Sequence, residues 1–245
     1  MDLKNKIAIV TGGNSGIGFA TARELILQEA TVIITGRRKE AIDKAAQEIG
    51  AIPFVADQAN VRDISKLSKS IQKQFGKVDI LFINAGITGD PSLIENAVEE
   101  NFDAVMDINF KGAYFTLSKF IPLLNEEASV VFLSSNTAAM RNPQSSVYQA
   151  SKAALNSIAK TAAAELASRK IRVNTVSPGP TRTNVLNHFY GEDTANSIWD
   201  NLANNIPLKK IGTPEDVAKL VVYLSNGDAS FITGSDFVID GGMTL

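Results

Sequence analysis

The sequence contains no cysteine and a single histidine, His188, among its 245 residues. The first absence excludes disulfides, thiolate nucleophiles and cysteine-ligated zinc. The second excludes a multi-histidine zinc site, although carboxylates could still hold magnesium or calcium. Chemistry on a carbonyl would therefore have to polarise it with hydroxyls, amides and lysine. No apolar run approaches the roughly 18–20 residues that a membrane helix needs. Neither charge dominates: 24 Lys and Arg stand against 26 Asp and Glu, a net charge of −2 with no long basic run. Nucleic acid and anionic membranes are therefore not the default partners. The chain enters the short apolar run Ile7-Ala8-Ile9-Val10 after a few mostly polar residues, with no cleavage-like segment. No signal peptide is expected, and the expected location is the cytoplasm.

What is present is ample core material, with 44% hydrophobic residues. Short β-branched runs at 6–11, 31–35, 52–56, 78–83, 129–134, 171–176 and 236–239 alternate with amphipathic stretches at 18–29, 39–49, 63–75, 102–124, 146–168 and 214–225. Several of the short runs are apolar throughout, as strands buried on both faces are. The alternation predicts an α/β fold: a single-domain, doubly wound Rossmann-type arrangement with a seven-stranded parallel sheet flanked by helices. No linker or repeat divides residues 1–245. One segment, 184–206, breaks the rhythm by mixing polar residues with His188, Phe189, Tyr190 and Trp199. It reads as a substrate lid, the alternative being a helical excursion packed on the surface.

The loop Thr11-Gly12-Gly13-Asn14-Ser15-Gly16-Ile17-Gly18 joins the first strand to the first helix. Glycines there let the backbone approach a pyrophosphate seated at the helix N-terminus. The second strand ends Thr35-Gly36-Arg37-Arg38, with no carboxylate for a ribose hydroxyl but two guanidiniums suited to a 2′-phosphate. The expected cofactor is thus NADP(H), with NAD(H) the less favoured choice. Asp57, after the third strand, could accept from an adenine amino group or serve a turn. Asn84-Ala85-Gly86 follows the fourth strand, on the side where parallel sheets bind ligands. Asn109 is a poor residue for the middle of a helix, and its neighbours Ile108 and Phe110 suggest that it is buried.

Of the four tyrosines, only Tyr148 has lysine four residues later, Lys152. On a helix the two share a face. A cation beside a phenol favours the phenolate, so the phenol pKa is expected to fall from about 10 and Tyr148 to exchange protons near neutral pH. Ser134 and Ser135 lie upstream, and in a continuing strand only one of them can reach Tyr148.

These residues together resemble the short-chain dehydrogenase/reductases over essentially the whole chain. The resemblance rests on Thr11-Gly-x-x-x-Gly16-x-Gly18, Asp57, Asn84-Ala85-Gly86, Asn109, Ser135, Tyr148-x-x-x-Lys152, Pro178-Gly179-x-x-x-Thr183 and Asp240-Gly241-Gly242. It implies that Tyr148 is the general acid in reduction and the base in oxidation. Lys152 would lower its pKa and hold the nicotinamide ribose, and Ser135 would bind the substrate carbonyl. Asn109 would hold a water linking Lys152 to solvent. Gly12, Asn14, Ser15, Gly16, Ile17 and Gly18 would surround the pyrophosphate, and Arg37 and Arg38 the 2′-phosphate. Asp57, Asn84, Ala85, Gly86, Pro178, Gly179, Thr181 and Thr183 would complete the cofactor site, with no metal.

The implied activity is NADPH-dependent reduction of a ketone or aldehyde, or the reverse. A 3-oxoacyl-carrier-protein reductase is the rival substrate assignment, for which Arg141, Lys209 and Lys210 are the available docking cations. A non-catalytic nucleotide-binding regulator is the rival from another class. Thr137, Met140, Gln144 and segment 184–206 are the expected pocket walls. A tetramer or dimer is expected on the helical stretches 102–124 and 146–168, where Ala150, Ala153, Ala154, Ala159 and 162–164 would allow close packing.

Overall fold

The computed structural model describes residues 3–183 and 191–245. Seven strands form one parallel sheet: β1 (Ile7–Thr11), β2 (Thr31–Gly36), β3 (Ile52–Val55), β4 (Val78–Ile83), β5 (Leu124–Leu133), β6 (Arg172–Pro178) and β7 (Asp236–Ile239), in the order β3-β2-β1-β4-β5-β6-β7. The period of two along each strand serves two cores. Ile9, Ile33, Leu81, Val130 and Phe132 face one of them, and Ala8, Val10, Ile34, Phe82 and Val131 face the other. Both faces are apolar, which is why the strands read as unbroken hydrophobic runs.

One face is covered by α3 (Val61–Phe75), α5 (Ala113–Phe120) and α6 (Ser146–Leu166), through Leu67, Ile71, Leu117, Phe120 and Leu155. The other is covered by α1 (Gly16–Leu27), α2 (Lys39–Ile49) and the helix Pro214–Ser225, through Leu25, Ile42, Val217 and Val221. Chain order reverses between β1 and β4, and β1 pairs with β4 from Ala8↔Ile80 to Val10↔Phe82. The crevice beyond their carboxyl ends is where such sheets bind ligands. No helix among the described residues is long and apolar enough to cross a membrane.

Two expectations need correction. The stretch 102–124 is not one helix: α4 (Glu99–Met106) passes into a π-helical turn, Asp107–Gly112, before α5, and a 3-10 turn carrying Pro122 follows. The insertion has a local cause on each side. Asn109 binds the Ile87 backbone, and a Cβ on Gly112 would sit 2.1 Å from the Gln58 carbonyl oxygen. π-turns of this kind commonly mark functional sites. Strand β5 also begins at Leu124 rather than near 129, because Leu124 pairs with Val78 across a register shift.

Of the segment 184–206, residues 184–190, and with them His188, Phe189 and Tyr190, lie outside the described residues. The remainder forms α7 (Glu192–Asn205), in which Trp199 is buried. The helix Pro214–Ser225, α8, starts at a capping box between Thr213 and Asp216, as its Thr-Pro-Glu-Asp sequence dictates.

Candidate active site

The loop after β1 is held open from beneath. Asn84 Nδ2 donates to the Thr11 carbonyl oxygen at 2.8 Å and to that of Gly12 at 3.1 Å. Thr11 Oγ1 accepts from the amides of Asn84 and Ala85 at 3.0 and 3.1 Å. Gly12 takes φ +65°, and a Cβ there would meet Ala85 Cα at 2.9 Å. Gly18 lets α1 press against the loop, since a Cβ would lie 2.3 Å from the Gly12 carbonyl oxygen. Ser15 occupies the N-cap of α1 without a side-chain cap, and the first turn carries no acidic residue. The positive end of this helix is therefore available to an external anion. These features fit a dinucleotide pyrophosphate.

The proton-transfer group is built from α6, the end of β5 and the π-turn. Ser135 follows β5 and lines the same cavity as Tyr148, with its hydroxyl placed to favour the phenolate. Thr137 Oγ1 and its amide both donate to Ser135 Oγ, at 2.9 and 3.2 Å, which orients the hydroxyl. Ser134 instead donates to the Lys152 carbonyl oxygen at 3.2 Å, so it holds α6 and is not the partner of Tyr148. Lys152 is buried; its ammonium donates to the Leu133 carbonyl oxygen at 2.8 Å and lies 5.7 Å from the Tyr148 ring centroid.

Asn109 is 1% exposed. Its Oδ1 accepts from the Ile87 amide at 2.8 Å, while Nδ2 donates to the Ile87 carbonyl oxygen at 2.8 Å and to Ser151 Oγ at 3.1 Å. Both amide protons are thus used, leaving one lone pair on Oδ1. A Cβ on Gly86 would lie 3.1 Å from that oxygen and 3.4 Å from Lys152 Nζ, so this glycine keeps open a gap bordered by both groups.

Two adjoining clefts share this floor. The first, about 280 Å³, is lined by Gly12, Asn14, Ser15 and Ile17, by Arg37 and Asp57, and by Asn84-Ala85-Gly86 and Thr183. The second, about 660 Å³, reaches Ser135, Tyr148, Lys152, Pro178, Gly179, Thr181, Thr183 and Trp199. Gly16 lies opposite Thr183, whose Cγ2 would be 3.3 Å from a Cβ there.

Some expected residues stand apart. Arg38 is exposed at the N-cap of α2 and does not line either cleft. Thr137 acts on Ser135 rather than lining the cavity. Gln144 and Met140 are not among the cavity's lining residues, and Gln144 lies in neighbouring grooves. Asp57 makes the turn contact, its Oδ1 accepting from the Ala59 amide at 3.0 Å, and the residue lines the first cleft. Leu133 and Ser151 were missed. Leu133 contributes only a carbonyl, and Ser151 is an ordinary helical serine, so neither carries a signal in the sequence.

The Tyr148 pKa runs opposite to the expectation. Burial pushes the phenol up and outweighs the lowering by the Ser135 hydrogen bond. The Lys152 ammonium points at Leu133 rather than at the phenol oxygen, and burial pushes it down from 10.5 to about 8. Below about pH 8 folded and unfolded chains both carry this proton, and the fold bears the full cost of burying the charge. Between about 8 and 10.5 the unfolded chain binds more protons, so stability rises with pH. The ligand-free protein should gain on the order of 2 kcal/mol relative to Lys152→Met between about pH 8 and pH 10. Urea denaturation of both proteins across that range checks it. Equal pH dependence in the two would show that Lys152 is not a desolvated cation.

The family model described as enoyl-(acyl carrier protein) reductase matches residues 12–244. The 3-oxoacyl-[acyl-carrier-protein] reductase of Thermotoga maritima is 34% identical, covering 100% of both chains. The NADP-dependent (R)-specific alcohol dehydrogenase of Lentilactobacillus kefiri is 35% identical over 99% of this chain and 98% of its own. The crystal structure of 3-ketoacyl-(acyl-carrier-protein) reductase from Brucella melitensis complexed with NADH superposes with a TM-score of 0.90 at 31% identity, covering 100% of both chains.

Proposed function

Since the chain belongs to the short-chain dehydrogenase/reductases, oxidoreductases of CH–OH and C=O groups, we propose that it reduces a ketone or aldehyde with NADPH. The observation that carries this reading is the convergence of Ser135, Tyr148 and buried Lys152 on one cavity that adjoins the glycine loop. Residues of the two adjoining clefts, from Gly12, Ser15 and Arg37 in the first to Lys152 and Thr183 in the second, would hold a reduced nicotinamide dinucleotide, which would supply the hydride. Hydride transfer leaves an alkoxide, which needs donors already in place. Ser135 donates to the substrate oxygen, and Tyr148 donates and then gives up its proton. A phenol kept protonated by burial suits this direction. Oxidation needs the phenolate, so its rate should climb as pH rises toward the Tyr148 pKa. Lys152 and the gap beside Gly86 return the proton from solvent past Asn109.

Arg37 supports NADPH over NADH. It lines the first cleft, forms no ion pair among the described residues, and no carboxylate ends β2. Arg37→Asp should cut the NADPH-to-NADH ratio of kcat/KM by about 100-fold. A wild-type preference for NADH would contradict the assignment.

We read residues 1–245 as one catalytic domain with a lid at 184–206, acting in the cytoplasm as a dimer or tetramer. Ala159, Ala162 and Ala163 pack in the chain's own core, so they are withdrawn from the association surface. Exposed Val98, Phe102 and Tyr114, with Ala150 and Ala153 of α6, remain for it. A monomer by light scattering would reject the assembly. The Thermotoga relative favours a 3-oxoacyl thioester as second substrate reading. Against it, Arg141 borders a groove that neither Lys209 nor Lys210 lines, and Lys209 donates to the Asn204 carbonyl oxygen. Relative kcat/KM on an acyl thioester and on simple ketones separates the two.

A further inference from the structure

We propose that Asp90 determines substrate specificity, selecting carbonyl compounds that carry an ammonium group over those that carry a carboxylate. The inference rests on the reductase reading above and names the substrate class of that site. Asp90 borders the 660 Å³ cavity that contains Ser135 and Tyr148, and also an adjoining groove lined by Tyr148. Its main chain is pinned on both polar groups. The amide donates to Asn101 Oδ1 at 2.9 Å, and the carbonyl oxygen accepts from Asn101 Nδ2 at 3.0 Å. Gly89 fixes the preceding turn at φ +69°, where a Cβ would meet Val105 Cγ2 at 2.4 Å.

The residue is thus held firmly while its carboxylate has no hydrogen bond or ion pair among the described residues. Among the described residues, the one other charged residue lining the cavity is Lys152, whose ammonium already serves Leu133. No arginine lines either the cavity or the adjoining groove among the described residues; Arg182 lies 3.8 Å from Asp200, and Arg141 borders a separate groove. Among the described residues, the cavity therefore presents the hydroxyls of Ser135 and Tyr148, apolar Ile87, Leu133 and Trp199, and one negative charge, that of the exposed Asp90. A substrate that places an ammonium near this carboxylate is attracted, and one that places a carboxylate there is repelled.

The test uses three ketones of equal size: one neutral, one with an ammonium and one with a carboxylate at the same remove from the carbonyl. At low salt the wild-type protein with NADPH should show kcat/KM at least about tenfold higher for the ammonium ketone than for the carboxylate ketone. Added salt should narrow the gap. Asp90→Asn should shrink the ratio at least about fivefold, and Asp90→Lys should invert it. The Asn101 bonds go to the main chain and survive both changes, which thermal melts verify. Turnover of the neutral ketone with a ratio that Asp90→Asn leaves unmoved overturns this inference alone. No NADPH oxidation with any of the three overturns the reductase reading, and the inference falls with it.

Discussion

Replacing Tyr148 with Phe is expected to lower kcat for ketone reduction by about 10³-fold or more, while the Kd for NADPH stays within about threefold. The change removes one oxygen and keeps the ring, so packing around it is preserved. The lost oxygen is the partner of the Ser135 hydroxyl and the proton source for the alkoxide. Lys152 cannot substitute, because its ammonium is committed to the Leu133 carbonyl oxygen at 2.8 Å. Ser135→Ala should be milder, about 10²-fold, since it removes one donor and leaves the acid. Single-turnover rates with a fluorescence titration of NADPH separate the two quantities. A Phe variant with near-normal turnover would assign the proton to another group.

The second large effect is at Gly18. Gly18→Ala should weaken NADPH binding at least about 100-fold and destabilise the fold by roughly 2–4 kcal/mol. The added Cβ would lie 2.3 Å from the Gly12 carbonyl oxygen and 2.5 Å from Asn84 Nδ2. Neither neighbour can retreat freely, because Asn84 ties the loop to β4 through Thr11 and Gly12. The helix must move away, taking its N-terminal amides from the cleft. Gly227→Ala is the control, since a Cβ there meets nothing within 4 Å. Calorimetric titration and thermal melts of both variants provide the comparison. Equal behaviour would mean that the close approach of α1 is not needed for cofactor binding.

The seven-stranded parallel sheet and the position of the crevice were legible because they follow from the alternation of short apolar runs with amphipathic helices, whereas the order of the strands was not read from the sequence. Tyr148, Lys152 and Ser135 were legible from spacing, and the structure brings all three to one cavity. The π-turn was not. Residues 102–124 keep a helical pattern, and what inserts the extra residue is tertiary, namely Asn109 reaching Ile87 and Gly112 meeting Gln58. Spacing also misled on the phenol pKa. Proximity of a cation was visible in the sequence, but the direction of the ammonium and the depth of burial were not, and burial dominates. Asp90 was passed over because a turn aspartate next to glycine is ordinary. Only its unspent carboxylate beside the catalytic cavity sets it apart.

The central claim is that a nicotinamide hydride and the Tyr148 proton are delivered to one carbonyl. The direct measurement is the transfer of isotope from NADPH deuterated at the hydride position to a ketone substrate, read by mass spectrometry of the alcohol. The account predicts one deuterium on the carbinol carbon in the wild-type product, none on that carbon when the label is in the solvent instead, and labelled alcohol formed about 10³-fold more slowly with Tyr148→Phe. A carbinol deuterium that comes from solvent, or labelled product formed equally well by the Phe variant, would contradict it.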